Sequence, residues 1–488
     1  MDFLTTKFLI LLFVTAVVNY IAPKAYRAAG LLAASLLFYY LGAREFFVLL
    51  LALCLATYLL GLLVERLKKP FVYAIGAFTV LALLGYFKYA AFFVSTIDRL
   101  LNLAEGETIL RLGDVMAPLG ISFMTFQSIS YLGDICHGKI RAERNPVTAA
   151  LQVCFFPNVI SGPIQKARTF LPQVKEKAVF DYAGVRHGLL LFAFGGLQKY
   201  YLSDKLAPMI QSMQEEIAAG EPLGGLQFIF FAFCYALYIY ANFNSYSDMA
   251  VGIAQILGIR FGENFKRPYL SQTIKEFWQR WHISLNSWFV EYVYIPLGGS
   301  RKGKARYYLN ILIVFLLSGL WHGAGMHFVV WGLLNGIYQI AGDLTAAGRS
   351  KLCRRLKINP EKPLIIWWKR LCVFCLISLT WVFFAIPDIG TAVHMVREMF
   401  RPAINYNSAR WVLVQIGSWM ELIRMVVRVS LFAGVQLLRE KRSASELLAK
   451  QPAVLRYTIY AVMTAFLIFG YTGTFTGLGN GGFIYANF

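Results

Sequence analysis

The stretch "FFVLLLALCLATYLLGLLV", residues 46–64, contains nineteen consecutive residues without a charge, and polar contacts within it are limited to Thr57 and Tyr58. As a helix it spans about 28 Å at 1.5 Å per residue, close to the hydrocarbon thickness of a bilayer. Arg44 and Glu45 stand before it and "ERLKK" (65–69) after it, so the charged residues sit where water returns. The same pattern recurs on both sides of it. "KFLILLFVTAVVNYIA" (7–22), "AAGLLAASLLFYYLG" (28–42) and "FVYAIGAFTVLALLGYF" (71–87) fill most of the first ninety residues.

Composition extends the reading to the whole chain. Of 488 residues, 58% are hydrophobic and only 15% charged, against about 25% charged in an ordinary soluble protein. A spanning backbone must satisfy its own hydrogen bonds, so these runs are helices. The fold class is therefore all-α: a polytopic membrane protein whose partner is the lipid bilayer. The N-terminal run has one lysine, Lys7, balanced by Asp2, and is expected to be a retained helix, not a secretory leader. Seven scattered cysteines include Cys372 and Cys375 inside an apolar run, with no second ligand pair to complete a metal site.

The formal net charge of +21 does not indicate nucleic acid. Basic residues cluster in short connectors, at "ERLKK", "KIRAER" (139–144), "RKGKAR" (301–306), "RSKLCRRLK" (349–357) and "REKR" (439–442). The intervening connectors "AEGE" (104–107) and "QEEIAAGE" (214–221) are acidic. This alternation predicts about twelve crossings with both termini outside the cytoplasm.

Several segments do not read as simple spans. "CFFPNVISGPI" (154–164) carries two prolines and a glycine, and "NFNSYSDMAVG" (242–252) is polar at membrane depth. Both are expected as re-entrant or broken helices around a central cavity. In "SQTIKEFWQRWHISLNSWFVEYVYIPLGG" (271–299), apolar and aromatic side chains recur at three- and four-residue steps. That predicts an interfacial amphipathic helix ended by Pro296 and Gly298–Gly299.

Two histidines, His322 and His327, lie in "LLSGLWHGAGMHFVVWG" (316–332). Gly319, Gly323 and Gly325 surround His322 and predict a break between two apolar segments, of the kind that lines a cavity. A buried imidazole reads either as a packed, hydrogen-bonded ring or as the base of a reaction near pH 7. For Ser247 and Asp248 a structural hydrogen-bonding role is expected, since an ionisable group at that depth needs a partner.

Five stretches resemble the membrane-bound O-acyltransferase family, in its bacterial alginate O-acetyltransferase-like branch. They are "PLGISFMTFQSISYLGD" (118–134), "FFPNVISGPI" (155–164), "NFNSYSDMAVGIAQILGIRFGENFKRPYLSQTIKEFWQRWHISLNSW" (242–288), "YIPLGGSRKG" (294–303) and "GLWHGAGMHFVVWGLLNG" (319–336). The resemblance implies transfer of an acyl group from a cytosolic thioester, with acetyl-CoA as donor, to a hydroxyl. His322 matches the family's histidine, which implies a general base. His282 matches a second position of interest; it orients substrate or is an interfacial structural residue. His327 departs from the family pattern and is expected to have no role, like His137, His187 and His394. Lys266, Arg267 and Arg280, with Arg301 and Lys302, would bind the coenzyme's phosphates or serve as ordinary topology charge. No metal is expected.

The terminal "FIYANF" (483–488) resembles an F-x-Y-x-x-F motif of the same branch, departing from it at Ala486 and Asn487. It implies that Tyr485 carries the acyl group onward to an SGNH-type acetyltransferase partner and an extracytoplasmic polysaccharide. The same tail reads alternatively as an aromatic interfacial anchor. The expected division is 1–116 N-terminal helices, 117–342 catalytic core, 343–472 C-terminal helices and 473–488 extracytoplasmic tail, in a bacterial inner membrane. D-alanyl export from a carrier-protein thioester, and polysaccharide or lipid transport without acyl chemistry, are the alternatives.

Overall fold

A computed structural model describes residues 2–101, 116–401, 406–439 and 444–475. Every regular element among them is helical. Four helices among the described residues are long and apolar enough to cross a membrane: Arg44–Leu67, Pro70–Asp98, Gly225–Ile256 and Pro363–Ala385. Thr6–Ile21 and Ala453–Phe469 are apolar but shorter. The stretch that opened the reading lies inside the first of the four. The tail carrying Tyr485 lies outside the described residues.

The chain forms two compact units. Among the described residues, one comprises those up to Phe192 with Ser247–Glu263, and the other Ala193–Tyr246 with those from Asn264 to Phe475. In the first unit the helix Ile121–Cys136 is buried from Ile121 through Ile135. Gly61 lets the helix Phe47–Leu67 press against it, because a Cβ there would stand 2.7 Å from the Tyr131 ring. Thr57 donates to Ser128 Oγ at 2.9 Å across the same contact. The segment with two prolines is interrupted as expected. The helix Pro146–Cys154 stops, and Phe155, Phe156, Asn158, Val159 and Ser161 continue as buried irregular chain.

Arg27, one of the basic residues near the first connector, is buried. Its guanidinium donates to Asn19 Oδ1 (2.9 Å), to the carbonyls of Gln173 and Glu176 (both 2.6 Å) and to Leu257 O (3.1 Å). A buried cation is tolerable when its donors are met by acceptors in this way. This arginine ties three distant parts of the first unit together.

The polar segment 242–252, which begins in the second unit and ends in the first, departs from expectation. It does not break the chain, for the helix Gly225–Ile256 runs through it without interruption. Its amides are satisfied by neighbours instead: Asn242 donates to Ser203 Oγ (2.9 Å), and Asn244 to Gln198 Oε1 (2.8 Å). The predicted amphipathic helix is also corrected. Residues 274–289 form two short helices, Ile274–Arg280 and Ile283–Phe289, separated at Trp281–His282. Ile274, Phe277, Trp281, Leu285, Trp288 and Phe289 are buried within protein. The aromatic face packs in the core rather than lying among headgroups.

Candidate active site

The helices Lys304–His322 and Met326–Arg355 form a tight hairpin. A Cβ on Gly319 would sit 2.2 Å from Phe328 O, and one on Gly332 would sit 2.3 Å from Phe315 O. Only glycine permits that backbone approach. Gly323 is extended and meets the Phe328 ring, where a Cβ would be 2.0 Å away. This packing leaves His322 at the last position of its helix, 4% exposed. Its imidazole is bounded by Trp321 and Trp331 at 5.0 Å and by Phe384 at 5.2 Å, all edge to face. Three rings packed edge to face against it restrict the imidazole's rotation, as a positioned proton acceptor requires.

His282 comes to the same place from the other arm. It is 2% exposed and stands between the two short helices with φ +44°. A residue with a Cβ adopts that left-handed conformation only when its surroundings impose it, at about 1–3 kcal/mol. Here Asn264 imposes it. Its carbonyl accepts from Ile283 N (2.8 Å), and its Oδ1 accepts from Ser284 N (3.1 Å) and Ser284 Oγ (2.8 Å). Lys266 N donates to Arg280 O (2.8 Å), so segments 264–266 and 280–283 are pinned together. Phe243 closes over the imidazole at 4.7 Å.

The same amide sets the tautomer of His282. Its Nδ1 lies 3.2 Å from Asn264 Oδ1, an atom identified as oxygen by the backbone N–H it accepts. Burial pushes the His282 pKa down to about 3, so the ring is neutral. Nδ1 therefore donates, and Nε2 carries the lone pair.

Both histidines line one cavity of about 240 Å³, with Trp278, Lys275, Gln279, Asn286 and Tyr307 among its other walls. Tyr307 donates to Asp343 Oδ2 at 2.6 Å. The volume is below the roughly 300–1,000 Å³ of sites that swallow a drug-sized ligand. It suits a small acyl group and the hydroxyl it meets, not a polymer chain.

The basic residues named from sequence stand elsewhere. Arg280 pairs with Glu276 at 2.5 Å, and Arg267 donates to the Arg439 carbonyl. Lys266 is exposed, and none of the three lines the cavity, where the cation is Lys275. His327 is absent from the wall and its ring packs on Phe328 at 4.0 Å. His137 meets Gly133 O at 2.7 Å, and His394 packs on Phe228. Ser247 and Asp248 lie on the Gly225–Ile256 helix, in the part that belongs to the other compact unit.

Asn264 escaped the sequence reading because nothing local marks it. Its role predicts that Asn264→Ala lowers transfer activity at least tenfold. The substitution leaves His282 and Ser284 without their acceptor, at about 1–3 kcal/mol. Asn264→Asp, which keeps an acceptor oxygen, should recover part of the loss. Wild-type turnover and melting temperature in Asn264→Ala would refute the assignment.

Comparison with known proteins converges on the same segment. Residues 148–386 match the model of MBOAT, the membrane-bound O-acyltransferase family. The chain is 35% identical over 389 residues to a probable alginate O-acetylase AlgI of Pseudomonas putida, covering 78% of this chain and 76% of that protein. It is 32% identical over 413 residues to a peptidoglycan O-acetyltransferase of Helicobacter pylori, covering 78% and 74%. A teichoic acid D-alanyltransferase of Bacillus subtilis is 29% identical over 229 residues, 45% of this chain and 57% of that protein. With two histidines converging on a small cavity inside the matched segment, this multi-pass membrane protein belongs to the membrane-bound O-acyltransferase family.

Proposed function

We propose that the chain takes acetyl from cytosolic acetyl-CoA and passes it across a bacterial inner membrane for O-acetylation of an extracytoplasmic polysaccharide. The observation that carries this reading is the shared cavity of His322 and His282. A hydroxyl entering it would give its proton to His322 as its oxygen attacks the thioester carbonyl. The carbon–sulfur bond then breaks, and the coenzyme leaves as a thiol once it regains a proton. His282, with Nδ1 committed to Asn264, is assigned to positioning: its Nε2 lone pair can accept a hydrogen bond from a group in the cavity. Lys275 and Gln279 are the wall groups suited to the polar part of the donor.

The acceptor is assigned to Tyr485 of the tail, which would deliver the acetyl to an SGNH-type partner. About twelve crossings with both termini outside would put the tail on the partner's side. The relatives named for alginate and peptidoglycan acetylation support acetyl as the group moved. The similarity to a D-alanyltransferase supports D-alanyl from a carrier protein as the second reading.

Donor choice separates the two. Purified protein incubated with acetyl-CoA should release free coenzyme thiol and should leave a D-alanyl carrier-protein thioester intact. Turnover of the carrier thioester alone would transfer the assignment to D-alanyl export.

A further inference from the structure

Away from the histidine cavity, the first compact unit holds an open pocket of about 620 Å³ lined by Leu62, Glu65, Arg66, Lys68, Arg141 and Arg144. Four cations face one carboxylate. That carboxylate is already engaged: Glu65 accepts from Ala142 N through Oε1 and pairs with Arg144 through Oε2. Among the described residues, no carboxylate pairs with Arg66, Lys68 or Arg141. The pocket thus has a built floor, the Glu65–Arg144–Ala142 contact, and surplus positive charge above it.

Two features set this apart from ordinary connector charge. Arg66 and Lys68 close the helix Phe47–Leu67, where cations complement the helix dipole. Arg141 and Arg144 come from a different part of the chain, the connector between the helices Ile121–Cys136 and Pro146–Cys154, so two basic connectors meet at one pocket. The flanks are apolar as well. Leu59 and Leu63 precede Arg66 on the helix Phe47–Leu67, Phe71 and Ile75 follow Lys68 on the helix that starts at Pro70, and all four are exposed. A soluble phosphate compound would set its remaining groups against greasy helices. A phospholipid sets its acyl chains there.

We infer that this pocket binds the headgroup phosphate of an anionic phospholipid, with the guanidinium groups of Arg66 and Arg141 as its main donors and the acyl chains lying along the Leu59–Leu63 and Phe71–Ile75 faces. Guanidinium suits this role because its planar fork matches two phosphate oxygens. The site would fix one lipid beside the first spanning helices and is independent of the acyl chemistry.

The test uses the full chain in neutral detergent, with bound lipid counted by native mass spectrometry. Dioleoylphosphatidylglycerol should be retained in preference to dioleoylphosphatidylcholine. Arg66→Gln with Arg141→Gln should weaken phosphatidylglycerol binding roughly tenfold or more, since both cations that face the phosphate are removed. The substitutions leave the Glu65–Arg144 floor intact, and Arg66→Lys with Arg141→Lys should retain most of the binding, which separates charge loss from misfolding. Equal retention of the two lipids, unchanged binding in the glutamine variant, or displacement by millimolar inorganic phosphate would each overturn the inference.

Discussion

Alanine at position 322 should reduce acetyl transfer by roughly 10²–10⁴-fold, the usual contribution of a positioned general base. Expression and membrane insertion should stay near wild type. The imidazole packs among Trp321, Trp331 and Phe384, so its removal leaves a small void at the hairpin's end while the Gly319–Gly332 crossing still holds the backbone. His327→Ala is the internal control, because its ring is outside the cavity wall. It should keep most of its activity, with the acetyl content of the cell's polysaccharide as the readout. Equal behaviour of the two variants, or full activity of His322→Ala, would remove the base from the proposed mechanism.

Tyr485→Phe is the second large effect: it should eliminate acetyl export while keeping an aromatic side chain at that position. The reasoning is chemical. A phenol with a pKa near ~10 is a poor nucleophile until a base takes its proton, but the aryl ester it forms is a good donor to the next hydroxyl. A tyrosine therefore suits a relay better than serine would. The first five residues of the preceding "YTGTFTGLGNGG" (471–482) continue the helix Ala453–Phe475, a correction to a linker starting at Tyr471, and the glycine-rich remainder lies outside the described residues. Mass spectrometry of the C-terminal peptide should find an added acetyl on Tyr485, accumulating when the partner acetyltransferase is deleted. Normal export by Tyr485→Phe would make the tail an anchor.

What the sequence disclosed depended on whether the cause was local. The uncharged run 46–64 became a span because nothing distant was needed to make it one. The glycines around His322 marked a break because close backbone approach requires them. His282 was different. It is neither glycine nor asparagine, so its left-handed backbone has no signal at its own position; the cause is Asn264, eighteen residues earlier. The segment 242–252 misled for the converse reason. Its polarity suggested a broken helix, yet Ser203 and Gln198 supply the partners that keep the helix whole. Local pattern located the apolar elements, and long-range hydrogen bonds decided where they bend.

The Arg27 clamp has a consequence for the order in which the protein is made. Its acceptors are Asn19, Gln173, Glu176 and Leu257, and the last is 230 residues downstream (257 − 27). At ~5–20 residues per second, translation takes roughly 10–50 s to cover that distance. Until Gln173 and Glu176 have been made, the first two helices carry a guanidinium with only Asn19 of its final acceptors in place, so it must stay in contact with water or headgroups. The N-terminal helices can enter the membrane early, but the clamp is complete only after Leu257 has been synthesised, and a nascent chain halted before that point lacks its last acceptor.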